Sequence, residues 1–492
     1  MDATGSAAAI LIGRLVVITG LNYGFSVALA WVLPTGEFAQ VAVLQAVLLV
    51  SAMALNSGFP WVLAWTAANR ARLGSAMVAR VFRTSVAGNL AFGSVLGVLV
   101  FLALPGLVNV GGGHDNRRLL AVAAVTLPLF ALSSVGRGAL QGNARFGRMA
   151  SAQLAEVVVK IGATLCLIFA AGLGSDAVAL GFLLGAAAAT VVSAWFLRDV
   201  LPRGRLDWAP LSTYLSALPL FGATFGFALL MTLDILSLSA AAGAAGVTAA
   251  VVATYQVGAM IARLPYFMGD ALVDAIFPYM ARHHDSVELS HGYFKTAVRR
   301  VLILILPVQV MLIVSPEPLV RLAFPHAYAG AADLIRLLAL GAVGALAMTM
   351  FGKALQALGR RRAALIGVAC GLGAEIVLLA TLIPRLGADG AAIAYVTGAW
   401  TGAILLARSY LHAQRLALPR LGALRRPVRS LAVVLPFCLL AAQLPPRAGV
   451  LCLGVGLVAY AAALWRFDAA FAVDLRSIPT VTRITARSRH HR

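Results

Sequence analysis

The sequence predicts an all-α polytopic membrane protein of about fourteen transmembrane helices with both ends on the cytoplasmic side. Two lobes of six helices each would carry a C-terminal pair. Three observations lead there. Hydrophobic residues make up 61% of the 492 and charged residues only 12%, where a soluble domain has about a quarter of its residues charged. Apolar runs long enough to span a bilayer recur along the whole chain, and in lipid such runs must be helices because every backbone amide needs an internal partner. Finally, the lysines and arginines gather in alternate loops.

The runs fall at 8–33, 39–65, 82–105, 118–136, 149–171, 177–197, 213–240, 248–280, 297–316, 330–352, 363–384, 389–411, 430–446 and 448–465. No basic segment precedes the first run, so it reads as a retained span rather than a cleaved signal. Run 248–280 exceeds one bilayer thickness and must tilt or kink. With the N-terminus inside, the outer loops hold only Arg117, Arg118, Arg321, Arg385 and Arg447, and four basic residues lie within runs: Arg14, Lys160, Arg263 and Arg336. The remaining basic residues fall in the inner loops or the tail. A wrong helix count would scramble this alternation. The net charge of +21 is therefore a membrane-loop signature, and a nucleic-acid partner is excluded.

The chain also repeats. Ala139-Leu140-Gln141 followed by Arg145 matches Ala354-Leu355-Gln356 followed by Arg360. Leu173-Gly174 with Asp176 and Ala179 matches Leu386-Gly387 with Asp389 and Ala392, and Gly185 falls on Gly398. Each set runs from the fourth to the sixth helix of a half. An even helix number gives both copies one orientation, related by an axis along the membrane normal. The expected organisation is an N-lobe at 1–198, a cytoplasmic linker at 199–212 and a C-lobe at 213–412. Helices 13–14 with their basic loop follow at 413–466, then a basic disordered tail at 467–492.

Several chemistries are excluded. There is no phosphate-binding G-x-x-x-x-G-K-[ST] loop. The eight histidines lie in loops or at helix ends, so none serves a mid-membrane relay. The four cysteines sit in apolar runs without C-x-x-C spacing and read as buried small side chains. No metal cluster and no cofactor is expected. Charges inside spans are the informative residues, since they are costly there. Arg263, Asp270 and Asp274 lie within about 20° of one face of helix 8. Arg263 is read as a cavity-lining anion contact. The aspartates are ion-coupling candidates or simple neutralisers of Arg263. Asp234 in MTLDILSLS is a further coupling carboxylate or a local cap. Glu156 and Lys160, spaced i,i+4, read as an internally neutralised pair or a coupling site. Lys160 falls on Glu375 under the repeat. Arg14, Asn22 and Tyr23 of helix 1 are cavity candidates, Arg14 alternatively snorkelling to the interface. Asp333 and Arg336 form a structural i,i+3 pair.

These segments resemble a known family. GALQGNARFGRMA, the stretch from LDILSLS to FPYMARHH with Asp234, Tyr255 and Phe277-Pro278, and PEPLVRLAFPHAYAG through LIPRLGADGAAIAYVTGAW are similar to the corresponding regions of polysaccharide flippases of the multidrug/oligosaccharidyl-lipid/polysaccharide (MOP) superfamily. The likeness covers most of residues 1–412. It implies two lobes around a central cavity, alternating access, and a polyprenyl-pyrophosphate-linked oligosaccharide as cargo. Tyr255 joins Arg263, Arg14, Asn22 and Tyr23 as a cavity candidate. It also implies a bacterial inner-membrane location, with a polysaccharide polymerase and glycosyltransferases as partners. Related lipid II flippases have fourteen helices, and their extra pair helps form a lipid groove. Their arginine-rich first helix is matched here only at Arg14.

Two related readings stand beside this one: a lipid II flippase, or a MATE-type drug or cation antiporter. The antiporter would want an acidic cavity, which Arg263 opposes. A major-facilitator transporter would carry G-x-x-x-D-x-x-G-R after helix 2, where this chain reads AANRARLGSAM. A membrane glycosyltransferase would need a larger outer loop with catalytic carboxylates, so no enzymatic activity is expected.

Overall fold

A computed structural model describes residues 3–103, 115–198, 207–210, 212–215, 217–243, 246–282, 286–414 and 431–467, the side chains of residues 3–16 and of a few at helix ends excepted. Among the described residues there is no β-strand. The helices are α1 (Ala3–Val32), α2 (Thr35–Ser57), α3 (Phe59–Ala68), α4 (Arg70–Leu73), α5 (Ser75–Ala103), α6 (Asp115–Gly142), α7 (Phe146–Ala171), α8 (Gly174–Leu197), α9 (Ser212–Leu215) and α10 (Leu218–Leu230). They continue with α11 (Leu233–Ala240), α12 (Ala249–Arg282), α13 (Val287–Leu304), α14 (Leu306–Val314), α15 (Glu317–Ala323), α16 (Ala331–Ala357), α17 (Arg361–Ala413), α18 (Val434–Ala441) and α19 (Pro446–Phe467). Among the described residues nine helical segments are long and apolar enough to cross a membrane, or ten with the bent pair α10–α11 taken as one span. Phe169, Val191, Trp195, Val377 and Val458 stand exposed along them, a distribution suited to lipid rather than water.

Helix breaks depart most from the predicted runs. Run 39–65 is two helices, parted at Gly58, with Pro60 near the start of α3, where its missing N–H is harmless. Run 213–240 is divided among α9, α10 and α11, and α10 and α11 meet at a 50° bend. The helix ends at Met231 because Thr232 turns its hydroxyl back onto Ala228 O at 2.8 Å, a contact that competes with the ladder and bends helices. Run 297–316 starts earlier than its apolar stretch: Ser286 Oγ accepts from Leu289 N at 3.4 Å and opens α13. Pro307 then opens α14. Runs 363–384 and 389–411 are two helices that follow one another directly within α17, the chain turning back at Gly387, whose φ of 56° suits glycine. Its two halves pack antiparallel and closely, since a Cβ on Gly371 would lie 2.7 Å from Gly398 O. Most of the 199–212 linker, loop 415–429 and the tail from 468 lie outside the described residues.

Helices from the two halves of the chain touch at both ends of the molecule. Away from the basic loops, Trp31 Nε1 donates to Ala323 O at 2.8 Å, and Phe38 meets Tyr328 edge-on at 5.7 Å. Toward the basic loops, Arg361 sits over Trp61 at 5.7 Å, and the Ser85 and Tyr214 hydroxyls lie 3.2 Å apart. Between them Gln256 Nε2 donates to Gln45 Oε1 at 3.3 Å. The last two helices pack on α13 and α14 through Ile303, Met311, Cys438 and Leu453, and Tyr460 Oη donates to Ile303 O at 3.2 Å.

Candidate transport site

The α10–α11 break builds the first half of the site. Ending α10 at Met231 leaves a carbonyl without a ladder partner, and Arg263 Nη1 on α12 donates to it at 2.5 Å. Restarting at Leu233 puts Asp234 in the first turn of α11, where Oδ1 accepts from Ile235 N at 2.8 Å. Asp234 Oδ2 accepts from Arg263 Nη2 and from Tyr255 Oη at 2.6 Å. The guanidinium lies over the ring of Tyr395 at 4.4 Å. Asp234 is fully buried and Arg263 nearly so. The expected stripe of Arg263, Asp270 and Asp274 is therefore split. The buried cation is neutralised from α11, not by its neighbours on α12. Asp270 and Asp274 instead share Lys353 of α16, each at 2.6 Å. Asp234 is thus both bonded locally, to Ile235 N, and paired, because the helix break aims it at Arg263.

Glu375 lies beside this cluster on α17, wholly buried. Neither carboxylate oxygen has a hydrogen-bond partner among the described residues.

The second half of the site lies on α7. Here too the sequence expectation is corrected. Glu156 and Lys160 are not each other's partners. Glu156 Oε2 accepts from Arg137 Nη1 of α6 at 2.8 Å. Lys160 Nζ reaches instead to Asn22 Oδ1 on α1. It also lies over the rings of Phe25 at 5.4 Å and Phe182 at 4.8 Å. The physical reason is the fan of α6, α7 and α1: residues four apart on one helix share a face, but neighbouring helices offer shorter paths. Lys160 is buried.

The two halves use the same construction. A Cβ on Gly185 would lie 3.0 Å from Lys160 Cβ, and one on Gly398 would lie 2.7 Å from Glu375 Cβ. Each matched glycine lets a helix close onto the backbone that carries the matched charge.

Among the other candidates, Tyr23 meets Phe267 of α12 edge-on at 6.4 Å. Asn22 Nδ2 donates to Ile18 O at 2.9 Å. Arg14 lies on α1, but its side chain is outside the described residues. Arg336 donates to Asp333 Oδ1 at 2.5 Å, as expected, and also to Glu317 of α15. The sequence reading missed Tyr395, Arg137 and Lys353 as partners. Lys353 was assigned to a loop, yet it ends α16 facing α12. Among the described residues no cluster of three metal-ligating side chains occurs. A cavity of about 220 Å³ between α2, α3, α5 and α10, lined by Phe59, Asn89, Phe92, Tyr214 and Phe221, is apolar and touches none of these charges.

Stacked apolar helices with a broken span and charges buried between them define a multi-pass membrane protein. The chain belongs to the polysaccharide biosynthesis protein family, whose model matches residues 28–333. Its structure resembles the lipid II flippase MurJ in an inward closed conformation, with a TM-score of 0.70, 14% identity, and 96% of this chain and all of that one covered. It also resembles a multidrug resistance MATE transporter of the MOP superfamily. The inward-facing form gives a TM-score of 0.63 at 17% identity over 83% of this chain and 99% of the other. The outward-facing form gives 0.60 at 19% identity over 84% and 96%. At these identities the likeness is one of fold. A comparison with curated protein sequences finds no match.

Proposed function

We propose that this protein flips a polyprenyl-pyrophosphate-linked oligosaccharide from the cytoplasmic to the outer leaflet of a bacterial inner membrane, by alternating access between two lobes and with an ion gradient as driving force. One observation carries the reading within this family: each half of the chain buries a cation between membrane-spanning helices, Lys160 on α7 and Arg263 on α12. A charged side chain in a membrane helix is costly and is retained for what it binds or moves. Two cations facing the interior suit an anionic cargo and disfavour a cationic drug. The coupling carboxylate is Glu375, because Asp234 is committed to Arg263 and the Asp270–Asp274 pair to Lys353. The lobes are residues 1–198 and 213–412. A polymerase and glycosyltransferases are the expected neighbours in the pathway.

The lipid II reading keeps one support. The match to that flippase extends over 96% of this chain, against 83% for the inward-facing MATE structure, so it takes in at least part of α18 and α19. In a strain lacking the gene, lipid-linked oligosaccharide should accumulate on the cytoplasmic leaflet, and the wild-type gene should clear it. Unchanged lipid-linked sugars together with new sensitivity to cationic dyes would instead make the protein an exporter.

A further inference from the structure

The two buried cations differ in charge pairing: Arg263 faces a carboxylate, although its Nε has no hydrogen-bond partner among the described residues, and Lys160 faces none directly. Arg263 has a carboxylate, a backbone carbonyl and an aromatic face, and Tyr255 shares its carboxylate. To meet a phosphate it would have to abandon Asp234, which is fully buried, and strand that charge. Lys160 has three donor hydrogens. Its hydrogen-bond partner is one neutral amide oxygen, that of Asn22, and its other neighbours are two ring faces. The carboxylate one turn before it, Glu156, is engaged by Arg137, which also reaches Asn56 Oδ1 at 3.2 Å. Among the described residues the ammonium thus makes no direct ion pair, and the carboxylate nearest to it along α7 is held by Arg137.

We propose that Lys160, rather than Arg263, is the cation that grips the phosphate-bearing headgroup, and that Asn22 holds its place until cargo arrives. The proposal rests on the flippase reading and deepens it. The ammonium lies between α1, through Asn22 and Phe25, and the Phe182 ring of α8. The exchange is chemically downhill for the lysine. A phosphate oxygen carries negative charge where the Asn22 amide oxygen carries none, so with the ammonium it forms an ion pair as well as a hydrogen bond. Asn22 loses little, since its Nδ2 already donates to Ile18 O. Tyr23, the next residue on α1, packs against α12. Release of Asn22 from Lys160 would loosen a helix that touches both α7 and the Arg263 helix, so cargo capture and helix movement share one contact.

The test uses the purified full-length protein in detergent with geranylgeranyl pyrophosphate as probe, geranylgeraniol as the uncharged control and inorganic pyrophosphate as competitor. Lys160→Gln should weaken probe binding about tenfold, the loss of one charge-assisted contact. Lys160→Arg should stay within about threefold of wild type, and geranylgeraniol binding should not change in either variant. Inorganic pyrophosphate should compete in wild type and not in Lys160→Gln. If wild type binds the probe and Lys160→Gln binds it equally, the Lys160 assignment is wrong while the flippase reading stands. If wild type ignores the pyrophosphate probe altogether, the flippase reading falls and takes this one with it.

Discussion

Asp234 and Arg263 must be read as a unit. A buried pair is strongly destabilised when one partner is removed, because the other is left as an uncompensated charge. Asp234→Asn and Arg263→Gln should each lower stability by about 3–5 kcal/mol, while the double variant recovers most of the loss. Thermal unfolding of the purified protein in detergent reads this. Additive losses in the double variant would show that the two residues are not coupled. Glu375 supplies a different prediction. If it is the coupling carboxylate, Glu375→Gln should transport downhill at near wild-type rate but no longer respond when the ion gradient is collapsed. A variant that still loses transport with the gradient would remove Glu375 from the coupling step. The charged residues themselves were legible in the sequence, since charge inside an apolar run is conspicuous. Their partners were not. Arg263 finds Asp234 across 29 positions and Lys160 finds Asn22 across 138, and helical periodicity reports only on residues a turn or two apart.

Helix packing explains why small residues recur where charges are held. Gly185 and Gly398 let α8 and the second half of α17 approach the backbones that carry Lys160 and Glu375. Small residues at helix contacts are the usual means of close packing in lipid. Valine at either position should overpack the contact and destabilise by about 1–3 kcal/mol, measured as a lowered unfolding midpoint. Unchanged midpoints would mean the helices are free to part. The helices were largely legible, because a bilayer demands runs of about 20 apolar residues. The breaks were harder. Pro60 and Gly387 announce themselves, but the Met231–Thr232 break lies between two apolar segments. There only the Thr-Leu-Asp sequence marks it, and this short polar signal is common to unbroken helices as well. That break creates the site, since it supplies both the carbonyl and the carboxylate that hold Arg263.

At the scale of the molecule, the two halves meet away from the basic loops through Trp31 and Ala323 and through Phe38 and Tyr328. Alternating access requires these contacts to part. In a background with the four native cysteines replaced, Phe38→Cys/Tyr328→Cys joined by a short bismaleimide should abolish transport, and the uncrosslinked pair should retain it. Full transport by the crosslinked protein would contradict a mechanism in which this end opens. The most direct measurement is flipping itself. Full-length protein is reconstituted into vesicles carrying a polyprenyl-pyrophosphate-linked oligosaccharide, and the sugar exposed on each leaflet is followed with a membrane-impermeant glycosidase. Flipping through the Lys160 site should give protein-dependent movement of the sugar across the bilayer that is lost in Lys160→Gln. Vesicles with correctly folded protein in which the sugar stays on its original leaflet would contradict it.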